Sequence, residues 1–109
     1  MWIFTNQGMV SIVKHRDKPD CLLVRARESR VLRTLFPGAK IIELPHADYR
    51  YRVVIKREDV AGLFESYIED IDYDNFKNSI SVEKHDYHES CMKVWGIMRN
   101  LQKKTNSVS

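Results

Sequence analysis

The residues best suited to chemistry fall into three groups. Asp70, Asp72 and Asp74 alternate as at the start of a calcium loop. The pattern then breaks, with Asn75 where the sharp turn needs glycine and Ser81 where a bidentate glutamate is needed. A solvated acidic turn, its Asp and Asn side chains capping nearby amides, is the simpler reading. His85, His88 and Cys91 have zinc-ligand types at a spacing of three. On one helix that spacing spreads them over about 120°, too wide for easy tetrahedral convergence. No metal site is therefore expected from either set, and Cys91 reads as a core thiol.

Nucleophilic chemistry has the residue types but no frame. Cys91 with His88 could form a thiolate pair, and Glu65, Glu69, Asp70, His46 and His85 could serve hydrolysis. His46 with Arg50 or Arg52 has the types for metal-independent RNA cleavage. No glycine-rich phosphate loop, nucleophile turn or CxxC accompanies them. No cofactor is implied.

The third group is basic: Arg25, Arg27, Arg50, Arg52 and Lys56. Residues 1–60 hold twelve Lys/Arg against seven Asp/Glu, and residues 61–109 hold six against eight. The positive charge thus gathers in the first part of the chain. Arginine forks match phosphate and carboxylate, so the five point to a polyanionic partner.

These residues are positioned by a chain of 109 residues, 43% of them hydrophobic and 30% charged, with few Gly and Pro. The size suits one domain with a real core, expected over residues 1–104, with 105–109 a frayed tail. The organising stretch is Tyr49–Ile68. Tyr49, Tyr51, Val53 and Ile55 alternate with Arg50, Arg52, Val54 and Lys56 as in a strand with one apolar face. After Arg57 the period changes, and Val60, Leu63, Phe64, Tyr67 and Ile68 recur as on an amphipathic helix. A helix laid on a sheet follows, with Val53, Ile55, Leu63, Phe64 and Tyr67 mostly buried.

Elsewhere, Met1–Phe4 and Met9–Val13 predict a hairpin around Thr5-Asn6-Gln7-Gly8. Cys21–Arg27 predicts a strand with Leu22, Val24 and Ala26 inward and Arg25 and Arg27 outward. Ser29 predicts the cap of a short helix to Phe36, stopped by Pro37-Gly38. Ala39–Leu44 predicts another strand. Asp74 predicts a brief helix carrying Phe76 and Ile80, and 86–103 a final helix with the stripe Cys91, Val94, Trp95, Met98, Leu101. The class is α+β: a small antiparallel or mixed sheet with helices on one face, its middle portion compatible with a ferredoxin-like arrangement. By alternation Tyr49 and Tyr51 belong to the core face and all five basic residues to the opposite one. Trp2, on an edge strand, could help a second copy add to the sheet.

The fragments MWIFTNQG at Met1–Gly8, DYRYRVVIKRED at Asp48–Asp59 and IDYDNFK at Ile71–Lys77, with Val94–Trp95, resemble those of a family of small uncharacterised bacterial proteins. The resemblance spans most of the chain. It implies a bacterial or mobile-element context and carries over no activity or site residue.

The expected function is therefore non-enzymatic binding of nucleic acid or an acidic macromolecule through the basic sheet face. The alternatives are a small metal-independent hydrolase or nuclease, and a dimeric protein-binding adaptor or inhibitor. With no secretory leader pattern and no long apolar run, a cytoplasmic location is expected and a membrane is not among the expected partners. Reduced thiols at Cys21 and Cys91 fit that location.

Overall fold

The computed structural model describes residues 1–107. Within the span expected to form one domain, the chain divides into two compact units, Met1–Asp72 and Tyr73–Ser109.

The first unit opens on a hairpin of β1 (Trp2–Thr5) and β2 (Gly8–Lys14). The Thr5 hydroxyl fixes the turn. Its oxygen accepts from the amides of Gln7 and Gly8, both at 3.1 Å, and it donates to the Gly8 carbonyl at 2.8 Å. β3 (Cys21–Ala26) pairs with β2 on one side and with β5 (Tyr51–Lys56) on the other; the two-residue β4 (Ile42–Glu43) pairs with β5. The sheet is wholly antiparallel, in the order β1-β2-β3-β5-β4. The expected strand over Ala39–Leu44 contracts to β4 because only its centre reaches the edge of β5.

Two helices cover one face. α1 (Ser29–Leu35) packs on β2, β3 and β5; α2 (Arg57–Glu69) packs on β3 and β5. Ser29 is not the cap of α1. Glu28 holds that place without a side-chain bond, and the Ser29 hydroxyl accepts from Arg33 Nη1 at 2.7 Å. Gly38, at φ +83°, turns the chain after α1, a conformation that glycine adopts without strain. α2 continues β5 with no loop, at the expected change of period. Arg57 anchors the junction, donating its amide to the Asp20 carbonyl (2.8 Å) and its Nε to the Pro19 carbonyl (2.7 Å). Glu58 and Asp59 in the first turn suit the positive end of the helix dipole.

The class is α+β, as the alternating strands and striped helices predict. The order β3-β5-β4, with α1 and α2 in their expected connections, reproduces three strands of a ferredoxin-like sheet. The fourth place, beside β3, is filled by β2, which precedes the unit instead of following it. The core is Val10, Ile12, Val24, Ala26, Val53 and Val60 with Val31, Leu32 and Leu35 of α1. Val53 is fully buried, and Ile55, Leu63, Phe64 and Tyr67 are partly buried against this core; Val60 is the one fully buried residue of α2. α1 lies over the three central strands and takes the centre of the core; α2 reaches two of them.

The second unit holds a one-turn 3₁₀ helix at Lys77–Ser79 and α3 (His85–Ser107). Asn75, not Asp74, bonds the 3₁₀ turn, its Oδ1 accepting from the Asn78 amide at 3.3 Å. α3 packs on that turn. It runs past the expected end at Lys103 and includes Thr105–Ser107 of the expected tail; Val108 and Ser109 lie outside the described residues. Among the described residues, no helix is long and apolar enough to cross a membrane.

Candidate functional site

Register decides which side chains meet on the face opposite α1 and α2. Ser11 pairs with Trp2 and with Arg25, Arg25 with Arg52, and Arg52 with Ile42. One row therefore crosses all five strands: Trp2, Ser11, Arg25, Arg52, Ile42. Side chains two residues away share this face, which adds Phe4, Met9, Val13, Leu23 and Val54 around the arginines. Trp2 is 69% exposed and Phe4 37%.

Register places Arg25, Arg52 and Lys56 on this side of the sheet, and Arg27 joins them over the same Tyr49 ring as Arg25. Arg50 does not: it lies outside β5, bonds Glu43 and sits over the Tyr51 ring, and Glu43 and Tyr51 pair in the row of the opposite face, so the five do not form one patch. Arg25, Arg27 and Arg52 gather at the end where Tyr49 lies. Lys56 pairs with Cys21, four residues along β5 from Arg52, roughly 13 Å at 3.3 Å per residue. The Leu23–Val54 pair separates them.

The four arginines also differ in charge balance. Arg27 pairs with Asp48 at 3.3 Å. Arg50 takes Glu43 with both Nε (2.9 Å) and Nη2 (2.6 Å). That hydrogen bond and the Glu43 charge push the Arg50 pKa above its usual value. Arg25 and Arg52 have neutral acceptors instead. Arg25 Nη2 donates to the Ser11 hydroxyl at 2.8 Å, and Arg52 Nη2 to the Tyr49 carbonyl at 2.9 Å. Neither forms an ion pair among the described residues. Both are half-buried, and the Nε of each is buried without a hydrogen-bond partner. Two adjacent cations with unmatched donors are costly to hold in a folded chain.

Tyr49 is the residue that sequence reasoning misplaced. Its ring is buried on the arginine side, 4.2 Å from the Arg27 guanidinium carbon and 4.7 Å from that of Arg25. Alternation does not reach it, because β5 begins at Tyr51 and Tyr49 sits in a bend. Tyr51 stays on the core face, as expected. Trp2 was expected only as an edge-strand contact for a second copy, and neither it nor Phe4 nor Ser11 was tied to the basic face. Their alternation along β1 and β2 was visible, but the register that aligns them with Arg25 was not.

The other candidates stay apart. Asp70, Asp72 and Asp74 are exposed. His85, Asp86 and Glu89 place ligand-type atoms within 4.8 Å of one another, all exposed, while Cys91 is buried at 6% exposure. His88 and His85 line a cavity of about 350 Å³ with Lys77 and Ile80. Burial pushes the Cys91 thiol pKa up, only partly offset by a hydrogen bond with Tyr87. A nucleophile needs the opposite shift. His46 is exposed in the turn before Tyr49.

The thiol shift has a measurable outcome. Its raised folded pKa favours the protonated form, so this contribution to stability is complete below the unfolded thiol pKa. It is lost as pH rises through the folded one. At neutral pH a maleimide is expected to label half-exposed Cys21 well before Cys91, with Cys91 labelling accelerating in mild alkali. Mass spectrometry of quenched samples checks this; equal rates at neutral pH would contradict it.

Compared with known proteins, the chain matches no family model, no curated protein and no solved structure.

Proposed function

We propose that this protein acts by binding, without catalysis, and that the sheet face opposite α1 and α2 contacts single-stranded nucleic acid. The observation that carries the reading is the cross-strand pair Arg25–Arg52, left without a carboxylate among the described residues, in one row with exposed Trp2. Phosphate supplies the missing countercharge. The rings of Trp2 and Phe4 offer flat surfaces on which unpaired bases stack. An acidic protein would satisfy the arginines equally well but leaves the exposed rings unexplained, and duplex DNA hides the base faces that they would engage. Arg27 and Arg50 keep their own carboxylates and serve to brace Tyr49 and β4. Lys56 offers a second phosphate contact further along the strand.

Fluorescence anisotropy with short single- and double-stranded DNA and RNA, at several salt concentrations, tests the reading. Single strands should bind more tightly than duplex, with affinity falling as salt rises. The double substitution Arg25→Met and Arg52→Met should weaken binding about tenfold or more. It should not lower stability, because methionine keeps the packing and removes two buried unpartnered donors. Trp2→Ala should cost about 1–3 kcal/mol of binding. No binding at low salt, or unchanged binding by the folded double variant, would overturn the reading.

A further inference from the structure

The two edges of the sheet differ in how they are protected. β4 is only two residues long, carries Glu43 and has Pro45 just beyond it. Short length, charge and proline are the usual guards against another strand. β1, at the other edge, has none of them. Its residues Trp2–Thr5 hold no charge and no proline, and they pair with β2 one to one, without a bulge. Trp2 and Phe4 are exposed on it.

Alternation along the hairpin shows which backbone groups are open. Met1 and Ile12 exchange both hydrogen bonds, each at 2.8 Å. In an antiparallel ladder such pairs alternate with pairs that exchange none. Ile3 therefore bonds Val10, and the amides and carbonyls of Trp2 and Phe4 point away from β2. Those groups sit symmetrically about Ile3. A second β1, antiparallel and centred on Ile3, sets Trp2 of each copy opposite Phe4 of the other, so every open group of both residues finds its complement. Ile3 then faces its own counterpart on the helix side of the sheet. Trp2 and the opposing Phe4 form an aromatic cross-strand pair on the arginine side. No like charges meet, because Met1–Gly8 holds no charged side chain.

We propose that β1 is a self-association edge on which two copies of this chain join antiparallel about Ile3, making one continuous sheet from two. The two-fold axis passes through the sheet, so the arginine faces of both copies lie on the same side, with the Trp2 and Phe4 rings between them.

Sedimentation equilibrium of the full chain without nucleic acid, from low to high micromolar concentration, tests this. The wild type should dimerise, and added salt should not weaken the dimer, since the contact is uncharged. Phe4→Pro should weaken it about a hundredfold or more, because it removes an outward donor from each copy. The β1–β2 ladder does not use that amide, so the circular dichroism spectrum should be unchanged. Phe4→Leu keeps the donor and should cost about tenfold at most. Under mild oxidation Ile3→Cys should link to itself, with mass spectrometry finding residue 3 joined to residue 3. Its two copies face each other in a pair without hydrogen bonds, about 4.5 Å between Cα atoms, within disulfide reach. Phe4→Cys should not self-link, since its two copies are about 7 Å apart along the strands as well as one strand spacing across.

A wild type that remains monomeric throughout overturns the proposal. So does a dimer that survives in folded Phe4→Pro, or one that salt dissociates, either of which would place the contact elsewhere. Self-linking at Phe4→Cys in place of Ile3→Cys would show another register and overturn the pairing about Ile3. Each readout is taken without nucleic acid, so failure here leaves the nucleic-acid reading standing, and the reverse.

Discussion

Leu32→Ala is expected to lower the unfolding free energy by about 2–5 kcal/mol, as for a large side chain removed from a packed core. Leu32 is fully buried in α1, between Val31 and Leu35 in sequence, against a cluster that includes Val10, Val24 and Val53, all at 0% exposure. So little surface around it is free that the neighbours cannot collapse into the space without moving the sheet. Leu63→Ala, on partly buried α2, should cost only about 1–2 kcal/mol, because less apolar surface leaves water there. Urea denaturation of both variants compares them, the midpoint shifting at constant slope. Equal losses would mean that α2 contributes as much to the core as α1.

Gly8→Ala should destabilise by about 2–4 kcal/mol despite adding one carbon. Gly8 sits at φ +155°, and a Cβ built there runs into Val31 Cγ2 with Cγ1 at 3.0 Å. The clash lies inside the core, since Val31 is 4% exposed. The hairpin cannot swing away easily, because both the amide and the carbonyl of Gly8 are held by the Thr5 hydroxyl. A double-mutant cycle isolates the cause. In a Val31→Ala background, which removes both methyl groups, the same substitution should cost clearly less. An unchanged cost would place the strain in the backbone alone.

How much was legible depended on whether a local rule applied. The switch from β5 to α2 was readable because the apolar period changes at Arg57, and α1 was readable because Pro37-Gly38 ends it. The placement of Arg25, Arg52 and Lys56 on one side of the sheet followed from alternation within β3 and β5; Arg50, just outside β5, turned instead to Glu43 and the Tyr51 ring. Three things were not local. Tyr49 lies just outside β5, where alternation has no force, so its ring could turn to the arginines. The row from Trp2 to Ile42 depends on cross-strand register, which turns and loop paths set. Of the α3 stripe Cys91, Val94, Trp95, Met98 and Leu101, only Cys91, the residue read as a core thiol, is buried. Periodicity shows that a helix has an apolar side, and says nothing of whether its own chain covers it. Nor could types alone show that Glu43 and Asp48 neutralise two of the arginines while two keep neutral partners.

The strand order has a consequence for how the sheet assembles. β1, β2 and β3 are sequential neighbours, as are β4 and β5, so both groups can form from nearby chain. Only the β3–β5 pairing joins them, across the whole segment from Ala26 to Tyr51. Closing that loop is the entropically expensive event, and no other ladder in the sheet shares its cost. α1 lies inside the closed segment and packs on both sides of the seam. The contacts that reward the closure therefore come from the same stretch of chain that the closure restrains. The two arginines face each other across this seam, so the site is created by the long-range step and is absent from either half alone.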